Sequence, residues 1–384
     1  MDEDFKKSVR IGVALSGGGF RAAVFHLGVL SRFAADDLLR KVTFLSTVSG
    51  GSLVTGLIYS LSEYRWPDDS HFVNSVYPRA RDYLTGVNIQ WDSLCRLLTR
   101  PWYVFQGRSR LVAESLDKRW RIKGLVVHIP KRPRWVINAT TYETGKNWRF
   151  MPQRMGDYIA DYSADPHIPL SVAMSASAAY PGLIGPLKLK TKRYKWFEFL
   201  EDTKTKRDLG GSKFEVLHLW DGGVYDNLGV EALYKPGKPN YRPEINFLVV
   251  SDASKDLEIE RSRTLFKSAY RLVGISMDQV RSLRARQLAT HFIDNENSGA
   301  YLKIGDSAAT ISRTWGKQSR PEIDVPDDAL SEDEVAKAAA YATDLKRVSQ
   351  GDFNLLSRHG WEVADYTLFT LCPTAFGHRE FESH

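Results

Sequence analysis

Residues 11–61 constrain the fold more than any other part of the chain. Ile11-Gly-Val-Ala-Leu-Ser16 is a short apolar run that stops at Gly17-Gly18-Gly19. A parallel strand covered on both faces has this form, because neither face can carry polar residues. Helical spacing follows over Arg21–Phe33, with Val24, Leu27, Gly28 and Leu30 or Ser31 on adjoining faces. Val42-Thr-Phe-Leu-Ser-Thr47 predicts a second strand and Gly51–Leu61 a second helix. Strand, helix and strand in this order make a βαβ unit, hence parallel strands joined by a right-handed crossover. Two Gly-rich turns thereby arrive at neighbouring strand ends.

The remaining chain extends this unit. Residues 63–134 are rich in Trp, Arg, Pro and Tyr without strand alternation, which predicts helices and long loops inserted beside the sheet. Strands resume at Trp135–Thr140, Phe214–Trp220 and Ile245–Ser251. Leu265–Leu288 has helical character, and Ser331–Arg347 opens with Ser331 and Glu334 in capping-box spacing. No repeat, low-complexity tract or convincing linker divides the sequence. The expectation is a single α/β domain over residues 1–384, with a mainly parallel central sheet flanked by helices. With 43% hydrophobic and 26% charged residues, the chain has the composition of a globular protein. Cys95 and Cys372 are too few for a disulfide framework or a thiolate metal cluster and point to a reducing compartment.

The uncharged run Val42–Ser62 is about as long as a bilayer span, but about half of it is Ser, Thr and Gly. A buried strand, a tight turn and a buried helix explain it better. The opening Met1-Asp-Glu-Asp-Phe-Lys-Lys lacks the apolar core and cleavage site of a signal peptide. A cytoplasmic location is expected, with reversible membrane contact left open.

Thr47-Val-Ser49-Gly50-Gly51 between strand and helix has the form of a nucleophile elbow, which presents a serine hydroxyl at the sheet's carboxyl edge beside a helix N-terminus. Thr47 stands where the G-x-S-x-G pattern has its first Gly. Such turns also occur without catalysis, so the second motif matters. Three consecutive glycines after the first strand leave backbone N–H groups unobstructed, as an oxyanion hole requires. The alternative of a phosphate loop lacks Gly-Lys-Ser/Thr, and the dinucleotide fingerprint G-x-G-x-x-G is absent too. For the base, Asp221-Gly222-Gly223 closes the strand ending at Trp220; Asp226 and Asp252 rival it, and two glycines after an aspartate are also a plain turn signal. His359 and His378 follow in the order of a conventional triad, whereas His218 lies inside the same strand as Asp221.

The net charge of +7 is local. Between Trp91 and Arg134 eleven Lys/Arg face only Asp92, Glu114 and Asp117. Trp91, Trp102, Trp120, Trp135 and Trp148 interleave with these cations. Three readings stay open: a solvated basic face with core tryptophans, an anionic membrane surface, or single-stranded nucleic acid, the least expected. Lys188, Lys190, Lys192, Arg193 and Lys195 read as the outward side of an edge ribbon. Arg281, Arg284 and Arg286 read as a solvated helix face.

The motifs together resemble the patatin-like phospholipases. Gly17-Gly18-Gly19-Phe20-Arg21 is similar to that family's oxyanion-hole loop, Val48-Ser49-Gly50-Gly51 to its elbow, and Asp221-Gly222-Gly223 to its D-G-G/A motif. Ala176-Ser-Ala-Ala-Tyr-Pro181, Ala139-Thr-Thr-Tyr-Glu-Thr-Gly145 and His359-Gly-Trp-Glu-Val-Ala-Asp365 resemble further family segments. Ala22 stands where patatins usually carry Gly, although the group IV cytosolic phospholipases read Ser-Gly-Gly-Gly-Phe-Arg-Ala there as well. The resemblance implies a serine acyl-ester hydrolase of phospholipase A or lysophospholipase type with a Ser49–Asp221 dyad. It implies Gly17, Gly18, Gly19 and Gly50 amides as the oxyanion hole, and Arg21 binding substrate phosphate or steadying the loop. Phospholipid or lysophospholipid is the expected substrate, with no metal and no cofactor. A regulated membrane-targeting effector or lipid-binding protein would carry the same motifs. A carboxylate with an ordinary pKa near 4 is a weak base for an alcohol, so the dyad demands a dry site.

Overall fold

The computed structural model describes residues 3–100, 103, 107–182, 184–200, 205–235, 238, 240–257, 264–316, 325 and 328–381. Its strands are β1 (Ile11–Leu15), β2 (Val42–Thr47), β3 (Arg134–Thr141), β4 (Asn147–Met151), β5 (Arg154–Asp157), β6 (Asp161–Ala164), β7 (Leu187–Lys190), β8 (Trp196–Phe199), β9 (Lys206–Asp208), β10 (Val216–Asp221), β11 (Phe247–Asp252) and β12 (Gly299–Lys303). They form one large mixed sheet. The helix-flanked half that carries both Gly-rich turns runs parallel in the order β12-β11-β1-β2-β3. An antiparallel ribbon, β4-β5-β6-β8-β9, continues from β3.

Period-two alternation separates two apolar layers. Val13, Leu15, Leu45 and Ile137 pack beneath the helices Gly19–Ala34, Gly50–Leu61 and Gln350–Leu371. Ala14, Phe44, Val136, Leu248 and Val250 point the other way, against Leu228–Leu233 and against Leu288 and Phe292 of the Leu265–Asp294 helix. The uncharged run Val42–Ser62 is β2 and the buried helix behind it. No described helix is long and apolar enough to cross a membrane.

Within residues 63–134 the structure forms the helices Tyr77–Gly86, Ile89–Thr99 and Ser109–Arg119. Phe72, Leu84, Ile89, Leu116 and Trp120 join the apolar core of the parallel half, and Trp120 stacks on Phe20 at 5.3 Å between ring centroids. Ser331 caps its helix through the expected capping box with Glu334, but the helix ends at Ala340 instead of Arg347. The following chain is held by the Gly loop: Arg21 Nη1 donates to Tyr341 O at 2.6 Å and Phe20 N–H to Asp344 O at 2.9 Å.

Candidate active site

Ser49 has φ 49° and ψ −116°, a backbone region unfavourable to a residue with a Cβ. Its surroundings impose it. The Ser49 N–H donates to Ser177 Oγ at 3.0 Å, Ser177 Oγ meets Ser52 Oγ at 2.8 Å, and Ser52 Oγ meets Thr47 Oγ1 at 2.8 Å. Trp135 Nε1 closes the chain by donating to Thr47 Oγ1 at 3.0 Å. Thr47 therefore anchors the elbow where a glycine was expected, and the turn forms despite it. Gly50 must lack a side chain, because a Cβ there would stand 2.2 Å from Gly19 O. The elbow and the Gly loop thus touch, as two neighbouring parallel strand ends require.

Gly18 takes φ 143°, open to glycine alone, and turns the loop into the Gly19–Ala34 helix. One expected donor is not available: the Gly17 N–H donates to Asn227 O at 3.1 Å. The N–H groups of Gly18, Gly19 and Gly50 have no acceptor among the described residues. Arg21 is fully buried, and its Nε and Nη2 donate to Ala253 O at 3.1 and 3.0 Å. With Nη1 on Tyr341 O, the guanidinium is spent on carbonyls; of the two expected roles, steadying the loop is the one this geometry accommodates, and reaching a substrate phosphate is not.

Asp221 arrives by a route different from the one its motif suggested. β3 extends past the end of β2: Thr47 pairs with Ile137, whereas β10 pairs antiparallel with residues Ala139–Thr141. Because β4 covers the opposite flank of β3 over Ile137–Thr140, β10 lies on the flank that β2 vacates. β2 and β10 therefore approach each other end to end, and Asp221, paired with Ala139, reaches the level of Ser49. The Ala176–Pro181 segment clamps this end, with Asp221 N–H donating to Ala179 O at 3.1 Å and Gly222 N–H to Ser177 O at 3.2 Å. Ser177, named in the sequence only as part of a motif, so holds Ser49 and Gly222, the residue after Asp221.

Asp221 is 2% exposed. Its Oδ1 accepts from Gly223 N–H at 2.7 Å, while Oδ2 has no hydrogen bond of full geometry. Burial raises the carboxyl's pKa, and the Gly223 N–H and the adjacent Ser49 hydroxyl oppose this only in part, leaving it pushed up to about 7. Burial thus moves this carboxyl from the ordinary value near 4 towards neutral pH.

The rival groups are committed elsewhere. Asp252 holds Arg281 at 3.1 Å and Tyr301 Oη at 2.5 Å, and Asp226 pairs with Arg284 at 2.6 Å. Arg281 also binds Asp256 and Asp278 at 2.7 and 2.6 Å. Arg281 and Arg284 are therefore not a solvated face; they tie the Leu265–Asp294 helix to the sheet's carboxyl edge. His218 pairs with Glu143 at 2.6 Å, His359 with Ile304 O at 2.6 Å, and His378 with Asp365 at 2.5 Å. Of the five interleaved tryptophans, Trp120, Trp135 and Trp148 are core, Trp91 is exposed, and Trp102 lies outside the described residues. Among the described residues, Trp91 is thus the one member of the five left exposed.

A cavity of about 660 Å³ opens over Ser49 and Asp221. Gly17–Gly19 and Asn227 form its floor, Tyr180 and Ile184 an apolar wall, and Arg271, Met277 and Arg281 its helical side. Arg271 has no hydrogen bond or ion pair among the described residues. No group of three His, Cys, Asp or Glu among the described residues is placed to hold a metal ion.

Comparison with known proteins gives a consistent result. The patatin-like phospholipase family model matches residues 13–234. Patatin-like phospholipase domain-containing proteins of Neosartorya fischeri and Aspergillus fumigatus are each 24% identical over 260 residues, 65% of this chain and 30% of theirs. This chain thus spans under a third of the length of those relatives. Human GIVD cytosolic phospholipase A2 superposes with a TM-score of 0.51 at 14% identity, over 94% of this chain and 59% of that one. The same protein in complex with methyl gamma-linolenyl fluorophosphonate and terbium chloride gives 0.51 at 13% identity, over 95% and 58%. At such identity the likeness is one of fold.

Proposed function

Because the chain belongs to the patatin-like phospholipase family, we propose that it hydrolyses acyl esters of phospholipid or lysophospholipid through a Ser49–Asp221 dyad. Ser49 Oγ attacks the ester carbonyl as Asp221 Oδ2 takes its proton. The carbonyl oxygen, now anionic, meets the amides of Gly18, Gly19 and Gly50, where each such donor is worth about 3–4 kcal/mol of barrier reduction. Collapse breaks the ester bond, and Asp221 returns the proton to the departing alcohol. Water then attacks the acyl-serine with Asp221 again as base, releasing the fatty acid and restoring Ser49. The observation that carries this reading is a buried carboxylate, one oxygen of which has no hydrogen bond of full geometry, set beside the hydroxyl of a serine on a strained turn. Labelling with a fluorophosphonate tests it. Wild type should label and hydrolyse phospholipid, and Ser49→Ala should do neither; an unlabelled wild type favours the lipid-binding effector instead.

Peripheral contact with an anionic bilayer belongs to the same proposal. Trp91, Leu94 and Leu98 are exposed at i, i+3 and i+7 on the Ile89–Thr99 helix. Gln90 N–H donates to Leu345 O at 3.1 Å, and Leu345 lines the cavity, so this stripe begins beside its rim. Arg96, Arg100 and Arg119 flank it, each paired with Asp92 or Glu114. Trp91→Ser/Leu98→Ser should lower sedimentation with anionic vesicles, and unchanged sedimentation would remove this contact.

A further inference from the structure

On the sheet face away from the Gly19–Ala34 helix, three adjacent strands each contribute an arginine. Arg134 of β3 stands in register with Phe44, and Arg154 of β5 with Met151; Arg149 of β4 lies two residues before Met151, so all three share one face. Arg242 joins them from the following segment, its Nε on Ala232 O at 3.3 Å. The four line a cavity of about 90 Å³, and none of the described residues lining it is a carboxylate. β4 and β5 each have a strand on both sides, so these arginines do not guard an edge.

The cluster is under-neutralised. Arg134 pairs with Glu244 at 2.9 Å, and Arg149 reaches Glu231 only at 3.5 Å, a carboxylate it shares with Arg284. Arg154 and Arg242 have no carboxylate partner among the described residues. The Arg154 guanidinium lies over the Tyr162 and Phe199 rings, 4.9 and 4.8 Å from their centroids. Arg149 Nε is buried without an acceptor. Burial, followed by the neighbouring Arg134, Arg149 and Arg242, holds the Arg154 guanidinium below its usual range. Asp157, nearest on β5, has both oxygens occupied by Thr141, Thr144 and the N–H groups of Ile159 and Ala160.

Converging planar donors with fewer carboxylates than guanidinium groups are the chemistry that recognises a multiply charged tetrahedral oxyanion. We propose that this cluster is a phosphate-binding site, distinct from the Ser49 cavity. It takes a phosphate group carried either by a soluble phosphorylated compound or by an anionic lipid headgroup. An adjoining cavity of about 190 Å³ shares Arg149 and Arg154 and is walled by Tyr158, Tyr162 and Tyr225, which leaves room for the organic part of the ligand.

Calorimetric titration of the whole chain with inorganic pyrophosphate at constant ionic strength tests the site, whether or not Ser49 is active. Wild type should bind saturably, one per chain, and Arg149→Gln/Arg154→Gln should weaken the affinity roughly tenfold or more. Its melting temperature should be at or above that of wild type, since repulsion is relieved. Arg242→Gln, outside the sheet, should weaken binding likewise, so a fold defect in the strand variant does not decide the outcome. Vesicles of phosphatidic acid in phosphatidylcholine separate the sources. Arginine-dependent vesicle binding competed by pyrophosphate assigns a headgroup, and pyrophosphate binding without it assigns a soluble ligand. If wild type binds neither probe saturably, or the variants bind as wild type does, the site does not exist.

Discussion

Replacing Asp221 by Asn separates what this side chain costs the fold from what it contributes to chemistry. Asn keeps an oxygen for the Gly223 N–H, 2.7 Å away, and replaces the ionisable Oδ2 by a neutral NH2. A carboxyl that titrates near 7 when folded and near 3.8 when unfolded destabilises the native state once ionised, by about 4 kcal/mol at most. Below pH ~3 the carboxyl is neutral in both states, so wild type and variant should differ least there. As pH rises towards 7 the unfolded chain ionises first, and wild type loses stability that the variant retains. Above pH ~7 the difference is full and constant. Urea unfolding of both proteins from pH 4 to 9 measures it. Asp221→Asn should gain up to about 4 kcal/mol at pH 8, while phospholipid hydrolysis falls to background. A stability difference that stays flat across this range would show that Asp221 is not held as a buried, raised carboxyl.

Four further outcomes follow from the same geometry. With Asp221 as the proposed base, activity should fall about tenfold per pH unit below ~7 as the carboxyl protonates; a profile flat down to pH 5 contradicts this. Gly50→Ala should cut kcat by a hundredfold or more, on the order of one lost oxyanion donor, since the new Cβ displaces Gly19; fluorophosphonate labelling rate measures it. Arg271→Ala should raise KM for phospholipid about tenfold, with kcat and hydrolysis of an uncharged monoacylglycerol unchanged; equal effects on both substrates argue against phosphate contact. Asp365→Ala should cost about 3–5 kcal/mol in urea unfolding, because it strips Arg32 of a fully buried partner at 2.6 Å.

Sequence alone determined the parts of this protein that depend on neighbouring residues. The strand, Gly loop, helix, strand and elbow of residues 11–61 were legible because apolar runs, turn glycines and helical spacing act over a few positions. Ser331 and Glu334 announced a helix start for the same reason, but its end at Ala340 depended on Arg21, far away in the chain. The ribbon β4-β5-β6-β8-β9 escaped because strands such as Arg154–Asp157 and Lys206–Asp208 are short and polar, and exist through pairing with partners. Whether a basic segment was surface, whether Arg281 was solvated and whether Gly17 was a donor were likewise settled by burial and by partners remote in sequence. Asp221 shows the division most clearly. Its motif was visible, but its proximity to Ser49 arises from β10 entering antiparallel on the flank of β3 that β2 leaves open. Its basicity at neutral pH arises from burial. Turn chemistry is local and can be read along the chain; desolvation and end-to-end strand approach are properties of packing, which only the folded molecule has.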